Sequence, residues 1–137
     1  MKLAARDVWH VVPANGGGVD RFVRDLCRLR AANGIVHVTD TQHVLEWPAQ
    51  QRFLALDAAC LPDLAVGGAL GHPAIVHAHS TAAPVRQFCQ TLCAATGVPY
   101  VLTLHDIGFA DPAVSPFERT QRRRFAGQAA ARTAPSQ

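Results

Sequence analysis

Three short segments carry the groups able to do chemistry. The first is "NGGGVD", in which Gly16, Gly17 and Gly18 stand where an apolar strand hands over to an amphipathic helix. Backbone amides at a helix mouth favour an anion, and glycine leaves nothing to obstruct its approach, so a phosphate is the natural guest. The segment is no dinucleotide fingerprint, because Arg21 stands where GxGxxG needs its last glycine. Nor is it a Walker loop, because no Gly-Lys-Ser/Thr follows. The same glycines would also serve as a plain flexible turn. The second segment is "HAHS". His77 and His79 lie two apart, which puts both on one face of a strand. They suit half of a metal site completed by His105 or Asp106, a polar pair at a strand end, or a hydrogen-bonding patch for a hydroxylated ligand. The third is "LTLHD", where a buried apolar strand delivers His105 with Asp106 behind it. An imidazole there donates to a hydroxyl or moves a proton. His10 either joins the same cleft or is a core histidine. His37, His43 and His72 are expected to be structural or exposed.

The elements that must position these groups follow from the apolar pattern. Residues 7 to 13 are nearly continuously apolar and predict a buried strand. Val19, Phe22, Val23, Leu26 and Leu29 then recur at helical spacing over residues 18 to 32, with Gly34 as the stop. "IVHVTD" and "QHVLEW" predict two further strands. The stretch from Pro48 to Pro73 is the least legible, with a short helix expected near Pro62. A strand over 74 to 79, a helix from about Ala82 to Ala95, a strand over 98 to 105 and a basic, Ala-rich helix over 116 to 130 complete the alternation. "ARTAPSQ" predicts a last strand followed by Pro135 and the helix-capping type Ser136, so the chain reads as cut short. This order predicts an α/β fold, a doubly wound parallel sheet of Rossmann-like type with helices on both faces. In such sheets ligands bind beyond the carboxyl ends of the strands, which is where all three segments fall.

Composition narrows the classes. A chain of 137 residues that is 49% hydrophobic and 17% charged is a single globular domain. The net charge of +3 and the scattered arginines argue against nucleic acid as the main partner. No apolar run approaches the roughly 18 residues of a membrane span, and the N-terminus has a charge where a signal peptide needs an apolar stretch. A cytoplasmic location is expected. Cys27, Cys60, Cys89 and Cys93 form no CxxC pair and read as small buried thiols. Arg119, Arg122, Arg123 and Arg124 read as a solvated helix face, with peripheral contact to an anionic membrane surface as the minority view.

Taken together, "GGGVDRFVRDLCRLRAANG", "IVHAHS" and "GVPYVLTLHD" resemble the N-terminal domain of retaining glycosyltransferases of family 4, the GT-B group that includes sucrose- and glycogen-synthase-like enzymes. The resemblance runs from Val8 to Ser136. It implies one half of a two-domain enzyme that moves a sugar from a nucleotide-sugar donor to a sugar or lipid-linked acceptor, with retention and without a metal or other cofactor. It further implies that Gly16, Gly17 and Gly18 lie against the donor diphosphate. Thr103 and His105 match the family's T-x-H segment, whose histidine approaches the transferred sugar. His79 and Ser80 line the same cleft, and Asp106 falls within it. The family's second domain supplies the nucleotide pocket, a basic pair and an E-x7-E motif. Here Glu46 and Glu118 are the only glutamates and Lys2 the only lysine, so the donor half is missing and the chain alone is expected not to turn over. Two alternatives stay open: a metal-dependent hydrolase using His77, His79 and His105, and a non-catalytic binding half-domain.

Overall fold

The computed structural model describes residues 7–14, 18–105 and 113–133. Seven strands form one sheet: β1 (Val8–Pro13), β2 (Gly34–Val38), β3 (Gln42–Trp47), β4 (Arg52–Asp57), β5 (Ile75–Ala78), β6 (Tyr100–Thr103) and β7 (Ala131–Thr133). Four helices accompany them: α1 (Gly18–Cys27), α2 (Leu61–Gly67), α3 (Ala83–Thr96) and α4 (Pro116–Gln128). The sheet order is β4-β3-β2-β1-β5-β6-β7. β2, β1, β5, β6 and β7 run parallel. The chain leaves β1 toward one edge through β2 and returns to its other side with β5. In open α/β sheets such a reversal, here at the carboxyl ends of β1 and β5, is where a ligand crevice is expected.

The sheet is mixed, which corrects the expectation of a wholly parallel one. β3 runs antiparallel to both β2 and β4. The reason lies in the connections. Only residues 39–41 join β2 to β3, whereas a parallel crossover needs a dozen or more residues. Thr39 closes this turn, its Oγ1 accepting from the Gln42 amide at 3.0 Å. β4 was not expected at all. It is an edge strand on which only Leu56 is buried, and Phe53 and Leu54 face outward, so it lacks the alternation that marks a strand.

The two faces of the sheet are covered unequally. On one, Trp9, Val11, Val36, Val76, Ala78 and Leu102 pack beneath Leu61 and Ala65 of α2, Val85, Phe88 and Leu92 of α3, and Phe125 and Ala126 of α4. On the other, a small cluster joins Val12 and Ile35 to Val23 and Cys27 of α1. α1 stops at Cys27, five residues before its expected end. Leu29 is 79% exposed and has no sheet beneath it to reward another turn. Gly34 is accordingly not a helix stop but the first residue of β2. A Cβ there would meet the Glu46 carbonyl oxygen at 3.3 Å and the rings of Trp9 and Trp47 at 3.4 Å. Gly68 and Gly97 are glycines used as stops, for α2 and α3. Gly97 shows how. It takes the left-handed conformation (φ 76°) that ends α3 and donates its amide to the Cys93 carbonyl at 2.8 Å. Among the thiols, Cys27 and Cys89 are buried and Cys93 partly so, but Cys60 is exposed. No helix among the described residues is long and apolar enough to cross a membrane.

α4 is held by charge as well as by packing. The buried Arg86 of α3 donates to both carboxylate oxygens of Glu118, at 2.7 and 2.8 Å, and to the Thr81 carbonyl at 2.7 Å. Arg122 donates to the same carboxylate at 2.8 Å. The hydrogen bonds from Arg86 and Arg122 hold the Glu118 carboxyl down to about 2. Tyr100 of β6 stacks on Phe125 at 4.6 Å and donates its hydroxyl to that residue's carbonyl at 2.6 Å. Arg86→Met leaves the Glu118 carboxylate to Arg122 alone in a partly dry site and is expected to cost about 3 kcal/mol in urea unfolding. Arg122→Met, at the more solvated side, should cost less than about 1 kcal/mol. Equal costs for the two would refute the bidentate contact as the lock.

Candidate functional site

The polar side chains at this switch point come from three adjacent parallel strands, β1, β5 and β6, and the residues that directly follow β5 and β6. In the register of β1 with β5, His10 lies opposite His77. Alternation along β1 puts His10 on the same face as Val12, the face that α1 covers only in part. His77 on β5 and His79, the residue just after it, share one face as their spacing requires, and their rings stack at 4.1 Å. His105 follows β6, exposed, with its ring stacked on His79 at 5.1 Å. His10 and His79 are almost fully buried, at 5% and 4% exposure.

These rings form a hydrogen-bonded chain. His10 Nδ1 lies 2.9 Å from His79 Nε2, and His79 Nδ1 lies 2.9 Å from His105 Nε2. A neutral imidazole carries one N–H, so His79 donates on one side and accepts on the other. The chain therefore has two orientations. If His79 donates to His105, His105 must carry its own proton on Nδ1 and present a donor outward. If His105 donates to His79, its Nδ1 is bare and presents a base. Moving both shared protons one ring outward, with a proton taken up at His10 Nε2 and one released to solvent from His105 Nδ1, converts the first orientation into the second. The buried rings are thus coupled to what the exposed ring offers. The buried rings His10 and His79 are uncharged near neutrality. Burial first, and then the neighbouring His77, His10 and His105, push His79 down to about 2. Burial, and then His77, push His10 down to about 4. His77 is lowered by burial and by His105.

The remaining expected site residues divide. Thr103 is present, but its hydroxyl is engaged, 2.7 Å from His77 Nε2 and 2.8 Å from Thr133 Oγ1. The Ser80 hydroxyl accepts from the Ala82 amide at 3.0 Å and shapes the turn into α3. Gly18 opens α1, whereas Gly16, Gly17 and Asp106 lie outside the described residues. The trio expected for a metal, His77, His79 and His105, is not the one that converges. His105 sits on the far nitrogen of His79, and it is His10, His77 and His79 whose ligand atoms fall within 4.8 Å of one another. His10 carried too little signal to be placed in the row, because its partner is 69 residues away in sequence.

Two features beside the row complete the edge. Asp20 and Arg24 of α1 meet His37 and Glu46 of the sheet, with Arg24 bonded to Glu46 and His37 3.5 Å from Asp20, so His37 is structural. At the carboxyl ends of β2 and β4, Asp40, Thr41, Asp57, Gln87 and Thr91 line a cavity of about 520 Å³. His43 also lines it, 1% exposed, held below the usual histidine range by burial and set edge-on to Phe88 at 5.1 Å. Comparison with protein-family models, with characterised proteins and with solved structures finds no match to this chain.

The neutral histidines set an acid limit on stability. His10 titrates near 4 when folded and near 6.5 when unfolded, so between these values the unfolded chain binds more protons and stability falls as the pH falls. His10 alone accounts for a loss of about 3 kcal/mol by pH 4. Glu118 adds its own loss only below the ordinary carboxylate range, toward about 2. Urea midpoints measured in a chelator should drop steadily between pH 6.5 and 4.5, with a shallower slope in His10→Asn. A midpoint independent of pH over that range would contradict neutral burial.

Proposed function

We propose that this chain is the acceptor-side domain of a GT-B retaining glycosyltransferase, acting on a nucleotide-sugar donor and a sugar or lipid-linked acceptor. The observation that carries the reading is the histidine row, with exposed His105 at its outer end, set where the strand order switches between β1 and β5. An imidazole that presents either a donor or a base suits a sugar hydroxyl, whose own group accepts and donates. The amides of Gly16, Gly17 and Gly18, ahead of the positive end of α1, suit the donor's diphosphate. His79 holds His105, Thr103 braces His77, and Ser80 shapes the loop beside them. Asp106, the next residue in sequence after His105, is assigned to the same acceptor contact.

The cavity bounded by Asp40, Thr41, Asp57 and Gln87 suits part of a hydroxylated acceptor, with carboxylate, hydroxyl and amide groups to read it. It overlaps the stretch between Pro48 and Pro73, to which we assign acceptor choice. On α4, Phe117 and Arg124 lie two turns apart on one face and are both exposed, which supports peripheral contact with a lipid surface for a lipid-linked acceptor. The leaving diphosphate demands preorganised cations, and loss of one such partner costs ~100-fold or more in rate. The described part of the crevice offers imidazoles and no lysine, so those cations fall to a donor domain, and this chain alone is inactive.

Amide spectra of the chain, titrated with a panel of glycan acceptors and nucleotide-sugars, test the reading. An acceptor should shift the signals of His79, His105 and Asp57, and no nucleotide-sugar should be consumed. In a polypeptide that also carries the donor domain, His105→Ala should lower kcat by about 10²–10⁴. Peptides of this chain recovered from a native polypeptide well above 14.7 kDa would supply that second half. A native mass of 14.7 kDa with glycan binding intact would favour a non-catalytic binding domain instead. Hydrolysis of an ester or amide by the chain alone, abolished by a chelator, would replace the proposal with a metal-dependent hydrolase.

A further inference from the structure

We propose that His10, His77 and His79 form a three-imidazole site for one divalent transition ion of the zinc class. The proposal stands on the backbone and is independent of glycosyl transfer. His77 and His79 are placed on one face by strand alternation, and the β1–β5 register sets His10 directly opposite His77. One ligand atom from each of the three lies within 4.8 Å of the others. Zinc bonded to nitrogen at about 2.0–2.1 Å in a tetrahedron brings its ligand atoms to roughly 3.4 Å apart. Small side-chain rotations on rigid strands cover that difference.

The donor set and its surroundings point to the same ion class. Three imidazoles with no carboxylate among them suit zinc, copper or nickel and not magnesium or calcium. A histidine must be unprotonated to ligate, and burial holds all three in that form near neutrality. A ligating histidine also needs a partner for its other ring nitrogen, to fix its tautomer and orientation. Two of these partners are in place: His79 Nδ1 faces His105, and His77 Nε2 faces the Thr103 hydroxyl. His77 is only partly buried and its neighbour Ile75 is exposed, so water reaches the fourth position from the thinly covered face.

Capture of the ion has a consequence for the exposed ring. With its Nε2 on the metal, His79 gives up the bond to His10 and keeps its proton on Nδ1, directed at His105. His105 then accepts at Nε2 and presents only an N–H outward. The loaded site thus holds His105 as a donor and removes its function as a base.

Titration of the full metal-free chain with Zn²⁺, followed by calorimetry, should show one high-affinity equivalent. His77→Gln and His79→Gln should weaken it by about 100-fold or more, whereas His105→Gln and His43→Gln should keep the stoichiometry at one. Circular dichroism of each variant shows whether the fold survives. Because a variant can fail to fold, the deciding measurement uses the native sequence. Co²⁺ added to the wild-type chain should give the intense visible bands of a four-coordinate ion without thiolate charge transfer. Nitrogen-15 spectra of the zinc-loaded chain should then place the His105 proton on Nδ1. Absence of an equivalent in the wild-type chain, thiolate bands implicating Cys60 or Cys93, or full affinity in a folded His77→Gln would each overturn the assignment.

Discussion

The parallel pairing of β1 with β5 is the constraint on which the rest depends. It places His10 opposite His77 and lets the Val11 carbonyl accept from the His79 amide at 3.1 Å. A slip of one residue in this pairing would send every side chain of one strand to the opposite face. With β5 as the slipped strand, Val76 and Ala78 would leave the main core, and His77 and His79 would enter it. The apolar requirement of one face therefore specifies the polar arrangement of the other. The site is a by-product of core packing in the sense that no local preference of the histidines is needed to hold the register.

The unequal covering of the sheet explains why a polar row survives there. Three helices press on the core face, and α4 is held in place by the Arg86–Glu118 pair. The opposite face has α1 over β1 and β2 and leaves His77 and Thr103 of β5 and β6 only partly buried. Buried polar groups are tolerable only when paired, and the imidazoles pair with each other and with Thr103. Burial, and then their mutual proximity, keep His10, His77 and His79 neutral. The same neutrality that permits burial leaves lone pairs available for a proton or a metal ion.

Much of this was legible in the residues. The alternation of strands and helices, the short helix at Pro62, the common face of His77 and His79, and the delivery of His105 by an apolar strand all follow from local periodicity. Other features had no local signal. β4 is an edge strand with little to bury, and α1 ends where the sheet beneath it ends, although its apolar spacing continues to Leu29. His43 was expected to be structural or exposed, and it lies sealed under a cavity because α3 brings Phe88 against it.

The sequence by itself determined the α/β class, the bounds of most elements and which side chains share a strand face, because these depend on spacings of two and of three to four residues. Only the tertiary structure decided that β3 runs antiparallel and that His10, rather than His105, joins His77 and His79 at one point. It also decided that Arg86 is buried against Glu118. Each of these joins residues that are distant along the chain or sets the direction of one strand against another. Such pairings are selected by the burial of whole faces and the reach of connections, which no short window of residues contains.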